Sequence, residues 1–280
     1  MTAPAYTARA SLLKQFAKSA AHARAYIDGG STDETLSQRL GSGTHALLFR
    51  DKPVVEYKGG EFTPPGAKKP KTYTAVRSGE CWEAFKAQHA GAVILNTKEM
   101  ATAEAMAAAI RGDMDASRLL FAKGTKYETR IEWEMHGRRC SGTIDAFGPL
   151  AGDALVDLKS TVDASPAKFP WQARKLGYTA QLAFYLAGLE LAGYGRREPY
   201  IVAVENAPPF CVQTYKLTAA DIDEGRWQVE AWLERLIECE ASGIWPAYSD
   251  GILPLNVARL SAPPAVDDED DALDESTEAA

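Results

Sequence analysis

The sequence predicts an α/β domain, with a central β-sheet flanked by helices and a helical N-terminal extension. Three observations predict it. Residues 142–147 and 154–161 are two short runs of strand composition joined by a Gly/Pro-rich turn, which is the signature of a hairpin. A helical pattern from Trp171 to Tyr194 follows that hairpin. From Ser78 onward, helical and extended patterns alternate in the way that packing around a sheet requires.

The elements read in chain order as follows. Residues 8–28 carry an amphipathic pattern, one helix or two, capped by Ser11 and ended at Gly29-Gly30, with Lys14, Lys18 and Arg24 on a basic side that is either solvated or a contact for a nucleic-acid backbone. A second helix starts near Thr32 and runs to Phe49; Gly41, Ser42 and Gly43 inside it imply that something approaches the backbone closely. Residues 50–75 form a loop-rich insert with short strands near 54–57 and 73–76, and Lys68, Lys69 and Lys71 make it basic. Helices at 80–89 and 97–111 flank a short run at 92–95, the second with a capping signal at its opening Thr97. Strands at 127–134 and 138–147 turn at His136-Gly137, and Glu128, Glu132 and Glu134 share one face by parity, read as solvated, with completion of a metal site by one of them as the alternative. After the hairpin, proline breaks the chain at 165–170. On the 171–194 helix, Arg174, Tyr178, Gln181 and Tyr185 share one face, with Ala180, Ala183, Phe184 and Ala187 opposite. Strands at 200–205 and 209–216 extend the sheet, and a long helix at 221–239 covers it with Ile222, Trp227, Val229, Trp232, Leu233 and Leu236 as its apolar members.

A chain of 280 residues supports one full core. The expected organisation is a single domain over 1–261, with a helical part at 8–50, the insert at 50–75, a core at 120–250 and an acidic disordered tail at 262–280. No run approaches the roughly 18 apolar residues of a membrane helix, and no apolar signal core opens the chain, so a cytoplasmic protein with no membrane partner is expected. Cys81, Cys140, Cys211 and Cys239 lack Cys-x-x-Cys spacing, which argues against structural zinc and a cysteine-ligated iron–sulfur cluster. The net charge of −7 is a property of the tail: eight of the 38 acids and none of the 31 bases fall in 262–280, leaving 30 acids against 31 bases. A near-neutral body can still present a basic groove to phosphates.

The chemistry concentrates in the hairpin. With its turn centred near Ala151, Asp145 and Asp157 lie opposite one another on one face, a costly pairing of like charges that a divalent cation relieves. Lys159 returns to that face by the strand's period of two. Two carboxylates for a metal with a cation beside them is equipment for cutting a phosphodiester.

The ordered set Gly41-Ser-Gly-Thr-His45, Gly142-Thr-Ile-Asp145, Asp157-Leu-Lys159 and Gly177-Tyr178-x-x-Gln181-x-x-x-Tyr185 resembles the PD-(D/E)xK nuclease superfamily, and more specifically its RecE-like (exonuclease VIII-like) phage and prophage exonucleases. The likeness extends over roughly residues 8–250, with aspartate where the superfamily often has glutamate at the Asp157 position. It implies a restriction-endonuclease-like core around a mixed sheet, with Mg²⁺, or Mn²⁺ in its place, held by His45, Asp145, Asp157 and the carbonyl of Leu158. It assigns Lys159, with Asp145, Asp157, Gln181 and Tyr185, to catalysis. Arg174, Tyr178, Lys68, Lys69 and Lys71 are the candidate DNA contacts. It further implies 5′→3′ digestion of double-stranded DNA ends, action in phage-type recombination beside a RecT-like single-strand annealing protein, and a possible ring-shaped homo-oligomer. A catalytically dead DNA-end-binding scaffold and an endonuclease are the competing readings.

Overall fold

The computed structural model describes residues 6–29, 34–64, 66, 68–150, 152–249, 251–253 and 255; the acidic tail at 262–280 and the helix start near Thr32 lie outside them. The main sheet has five strands in the order β5 (Lys126–Met135), β6 (Arg138–Phe147), β7 (Ala154–Thr161), β8 (Glu198–Glu205), β9 (Val212–Lys216). Neighbours are antiparallel except β7 and β8, which run parallel and so need the long crossover that α7 (Phe169–Lys175) and α8 (Tyr178–Leu191) supply. The mixed α/β sheet flanked by helices is the architecture expected.

Two apolar clusters lie on opposite faces of this sheet. One joins Leu40 and Leu48 of α3 (Leu36–Phe49), Met106 and Ile110 of α5 (Thr97–Gly112) and Leu120 of α6 (Met114–Leu120) to Ala146, Val156, Leu158, Val202 and Val204. The other packs Leu12 and Leu13 of α1 (Ala10–Leu13), Phe184 and Leu189 of α8, and Leu233 and Leu236 of α9 (Ala219–Ser242) on Ile144, Leu155, Ile201 and Ala203. Each fully buried Leu or Phe contributes about 1.5–3 kcal/mol, so the two clusters are what fix the helices to the sheet.

Alternation along β7 sends Val156 and Leu158 to the first cluster and Leu155 to the second, leaving Asp157 and Lys159 on the α8 side. On β6 the alternation is interrupted: Ile144 packs with the second cluster and Ala146, two residues on, with the first, so the strand's faces are reset at Asp145.

Several expectations are corrected. The 171–194 helix is two helices, because Gly177 adopts a left-handed φ of 64° between α7 and α8. Trp227, expected on the apolar face of the long helix, is 70% exposed, while Ile222, Val229, Leu233 and Leu236 are buried. The cap of α5 is Asn96, not Thr97: its side chain accepts from Glu99 N–H, and Glu99 reaches back to Asn96 N–H. In the insert, β1 (Val54–Glu56) pairs in parallel with β4 (Val93–Leu95), and the strand expected near 73–76 is β3 (Lys71–Tyr73), paired with β2 (Gly60–Phe62). Crowding at the glycines of α3 comes from the protein itself: a Cβ on Gly43 would meet Leu95 Cδ1 at 2.7 Å, and one on Gly41 would meet Ser160 Oγ at 3.2 Å.

Candidate active site

The hairpin register is Ala146↔Val156 and Phe147↔Leu155, which continues arithmetically to Asp145 opposite Asp157. The ladder stops one pair short. Instead of backbone pairing, the Asp145 carboxylate accepts from Leu158 N–H at 2.8 Å, and beyond it β6 and β7 diverge into a fork. The ring of Tyr185 fills the fork against Gly142, where a Cβ would meet Tyr185 Cε1 at 2.6 Å. The fork opens to both helical layers, so side chains reach it from both faces of the sheet.

From the α3 layer comes His45. Its Nδ1 lies 3.2 Å from Glu128 Oε1, and its Nε2 lies 3.3 Å from the Leu158 carbonyl and 3.7 Å from Asp145 Oδ2. Burial alone would lower the imidazole's pKa, but the Asp145 and Glu128 carboxylates outweigh it and raise the value to about 9. Burial in turn pushes the Asp145 carboxyl up to about 6, opposed by His45. Glu128 was expected on a solvated face. It sits opposite Asp145 on β5 with φ of 42°, and this left-handed residue breaks the parity that sends Glu132 and Glu134 to solvent. Nothing in the residue pattern announces the break.

From the α8 layer come Gln181 and Tyr185. Gln181 Nε2 donates to Asp157 Oδ1 at 2.8 Å, with the Tyr185 hydroxyl 3.4 Å away. Asp157 is 2% exposed, and its Oδ2 lies 2.7 Å from Lys159 Nζ in a buried ion pair. Burial would lower the Lys159 pKa, but Asp157 and Asp145 hold it above its ordinary value. Burial and the same two carboxylates raise Tyr185 as well. Both the Lys159 ammonium, 4.9 Å from the ring centroid, and that of Lys14, at 5.3 Å, face the buried Tyr178 ring. Lys14, expected on a solvated helix side, is half-buried here; burial and the neighbouring Lys159 charge lower its pKa to about 7.

His45, Asp145, Asp157, Leu158, Lys159, Gln181 and Tyr185 therefore converge on the fork. Arg174 does not: the break at Gly177 takes it off the Gln181 face, and its exposed guanidinium faces Glu224 at 3.6 Å. Lys68, Lys69 and Lys71 are exposed on the β2–β3 hairpin, which pairs with no other strand among the described residues.

The donor set fits a divalent cation. His45, Glu128 and Asp145 each offer a ligand atom, all within 4.8 Å of one another, and the imidazole faces three oxygens that suit a hard cation equally well. Asp157 Oδ2, paired with the Lys159 ammonium, adds a further acceptor at the fork.

A mixed α/β sheet carrying Asp145, Asp157 and Lys159 at a fork between strands defines a PD-(D/E)xK-type domain. Residues 10–253 match the family described as PDDEXK-like domain of unknown function (DUF3799), and the chain belongs to that family. Among solved structures it is similar to a "Putative exonuclease" from Eubacterium rectale, at a TM-score of 0.58 and 16% identity over 90% of this chain and 91% of that one. SSO0001 aligns over 82% of this chain and 90% of its own at 11% identity, but its TM-score of 0.28 carries no weight. No curated protein matches the chain. No helix among the described residues is long and apolar enough to cross a membrane.

Proposed function

We propose that the protein is a metal-dependent deoxyribonuclease acting on the ends of double-stranded DNA. The observation that carries this reading is the fork, where a buried acid pair, a lysine held charged and a histidine face one another. His45, Glu128, Asp145, Asp157 and the Leu158 carbonyl would hold Mg²⁺ or Mn²⁺, which when bound supplies a water of lowered pKa and charge neutralisation at a phosphate. A metal-bound imidazole would have to be neutral, so metal binding would require the loss of one proton from His45. Lys159 presents a charge-assisted donor to the phosphate oxygens on which charge develops. Gln181 fixes Asp157, and the Tyr185 ring props the fork open. Arg174 and the three insert lysines, all exposed, serve the DNA backbone, where contacts position without reading sequence, whereas the Tyr178 ring is buried and is no such contact.

Digestion from 5′ ends, work beside a single-strand annealing protein in recombination, and assembly into a ring complete the reading. They rest on the resemblance to RecE-like exonucleases. The test is cleavage of linear and covalently closed circular DNA with and without Mg²⁺. Metal-dependent loss of linear DNA alone is expected, with a 5′ label released first. Cleavage of the closed circle would replace the reading with an endonuclease, and DNA binding without cleavage in any divalent metal would replace it with a scaffold.

A further inference from the structure

The N-terminal segment enters the fork sideways. Ala8 bridges in parallel to Cys140, its N–H donating to the Arg139 carbonyl while Ser141 N–H donates to the Ala8 carbonyl, on the β6 edge that β7 leaves open. The Thr7 and Ser141 hydroxyls are 2.6 Å apart beside it. This anchor aims α1 along the cleft, and the 3₁₀ turn Lys14–Ala17 that follows sends the Lys14 ammonium to Gln181 Oε1 at 2.6 Å.

Gln181 thus stands between Lys14 and Asp157. Lys14 Nζ donates to the amide oxygen and an ionised carboxylate only accepts, so the carboxamide between them is held with its oxygen to Lys14 and N–H to Asp157. A flipped amide would set its oxygen against the Asp157 carboxylate and its NH₂ against the ammonium, two repulsions in a buried site. We propose that Lys14 is a positioning residue for the phosphodiester chemistry, acting through Gln181: it locks the amide that holds Asp157 Oδ1 and so leaves Oδ2 turned to Lys159. The inference rests on the nuclease reading, because it gives Lys14 a role in a reaction. A competing role is merely structural, a tie between the N-terminal segment and α8.

A double-mutant cycle on linear duplex DNA separates them. Lys14→Met should lower kcat by about tenfold to a hundredfold with KM changed by less than about twofold, as misplacement of a reacting carboxylate predicts. In a Gln181→Leu background, the same substitution should cost almost nothing, because the residue it acts through is gone. Lys14→Arg, another donor-only cation, should recover most of the lost kcat, and it serves as the variant should Lys14→Met fail to fold. The second readout needs no activity: in ¹⁵N-labelled, metal-free protein, the Gln181 side-chain NH₂ resonances should move in Lys14→Met. Wild-type kcat in Lys14→Met, losses that multiply in the double variant, or a raised KM at constant kcat would overturn the inference while leaving the nuclease standing. Should the wild-type protein cut no DNA with any divalent metal, the nuclease reading fails instead, and unchanged Gln181 resonances in Lys14→Met would then dispose of the contact as well.

Discussion

At the scale of single residues, the site divides into groups that bind and groups that hold others in place. Asp145→Ala, Asp157→Ala and Lys159→Ala are each expected to abolish cleavage in an assay on end-labelled duplex. Asp157→Ala and Lys159→Ala should also destabilise markedly, by about 3 kcal/mol in urea unfolding, because each strands the buried charge that the other paired. His45→Ala should raise the Mg²⁺ concentration needed for activity and respond better to Mn²⁺, which accepts nitrogen ligands more readily. Glu128→Gln should raise the Mg²⁺ requirement too; a titration that overlays wild type would return Glu128 to a bystander of His45. Much of this set was legible from spacing: the turn centre at Ala151 gave the Asp145/Asp157 register, and the period of two gave Lys159. Glu128 and Lys14 were not, for different reasons. Parity places a side chain only while the backbone stays extended, and Glu128 leaves it at φ of 42°. Lys14 reads as a solvated lysine unless the fork it enters is known.

Among the elements, the least obvious is the clamp at the start of α5. Glu99 is 4% exposed, caps its own helix and accepts from both Arg77 and Arg39, so one carboxylate ties together α5, α3 and the loop before α4 (Gly79–Gln88). Burial pushes its pKa up, but the hydrogen bonds and charges of Arg77, Asn96 and Arg39 win and lower it. A lowered folded value means that stability is present above the ordinary glutamate pKa of about 4.3 and is lost as pH falls through the lower folded value. Glu99→Gln should therefore cost roughly 3 kcal/mol at pH 7. That deficit should shrink in urea melts taken at successively lower pH, and a deficit independent of pH would show that the loss is one of packing. Helix breaks were the hardest elements to read. The spacing from Arg174 to Tyr185 is helical throughout, and a lone glycine is tolerated in many helices, so only the left-handed φ of Gly177 reveals that the phase does not carry across.

For the whole molecule, a sheet flanked by helices followed from the alternation of patterns, whereas the strand order and the fork did not, since divergence of paired strands depends on what fills the gap. Gly142→Ala tests that filling: a methyl group aimed at the Tyr185 ring should cost about 1–3 kcal/mol by overpacking and lower activity with it, read by thermal melting and duplex cleavage together. Charge at this scale is lopsided, and removing residues 262–280 should raise DNA affinity at low ionic strength, with the gain fading as salt screens the eight acids. Equal affinities at low salt would make the segment inert toward DNA. The fork also sets an order of events during synthesis. His45, Glu128 and Asp145 leave the ribosome before Asp157, Lys159 and α8, and the hydrogen bond from Lys14 to Gln181 closes a loop of 167 residues. A nascent chain that ends before Gln181 carries His45, Glu128 and Asp145 without the amide that orders Asp157, so the fork stays incomplete until the crossover between β7 and β8 has been made and docked.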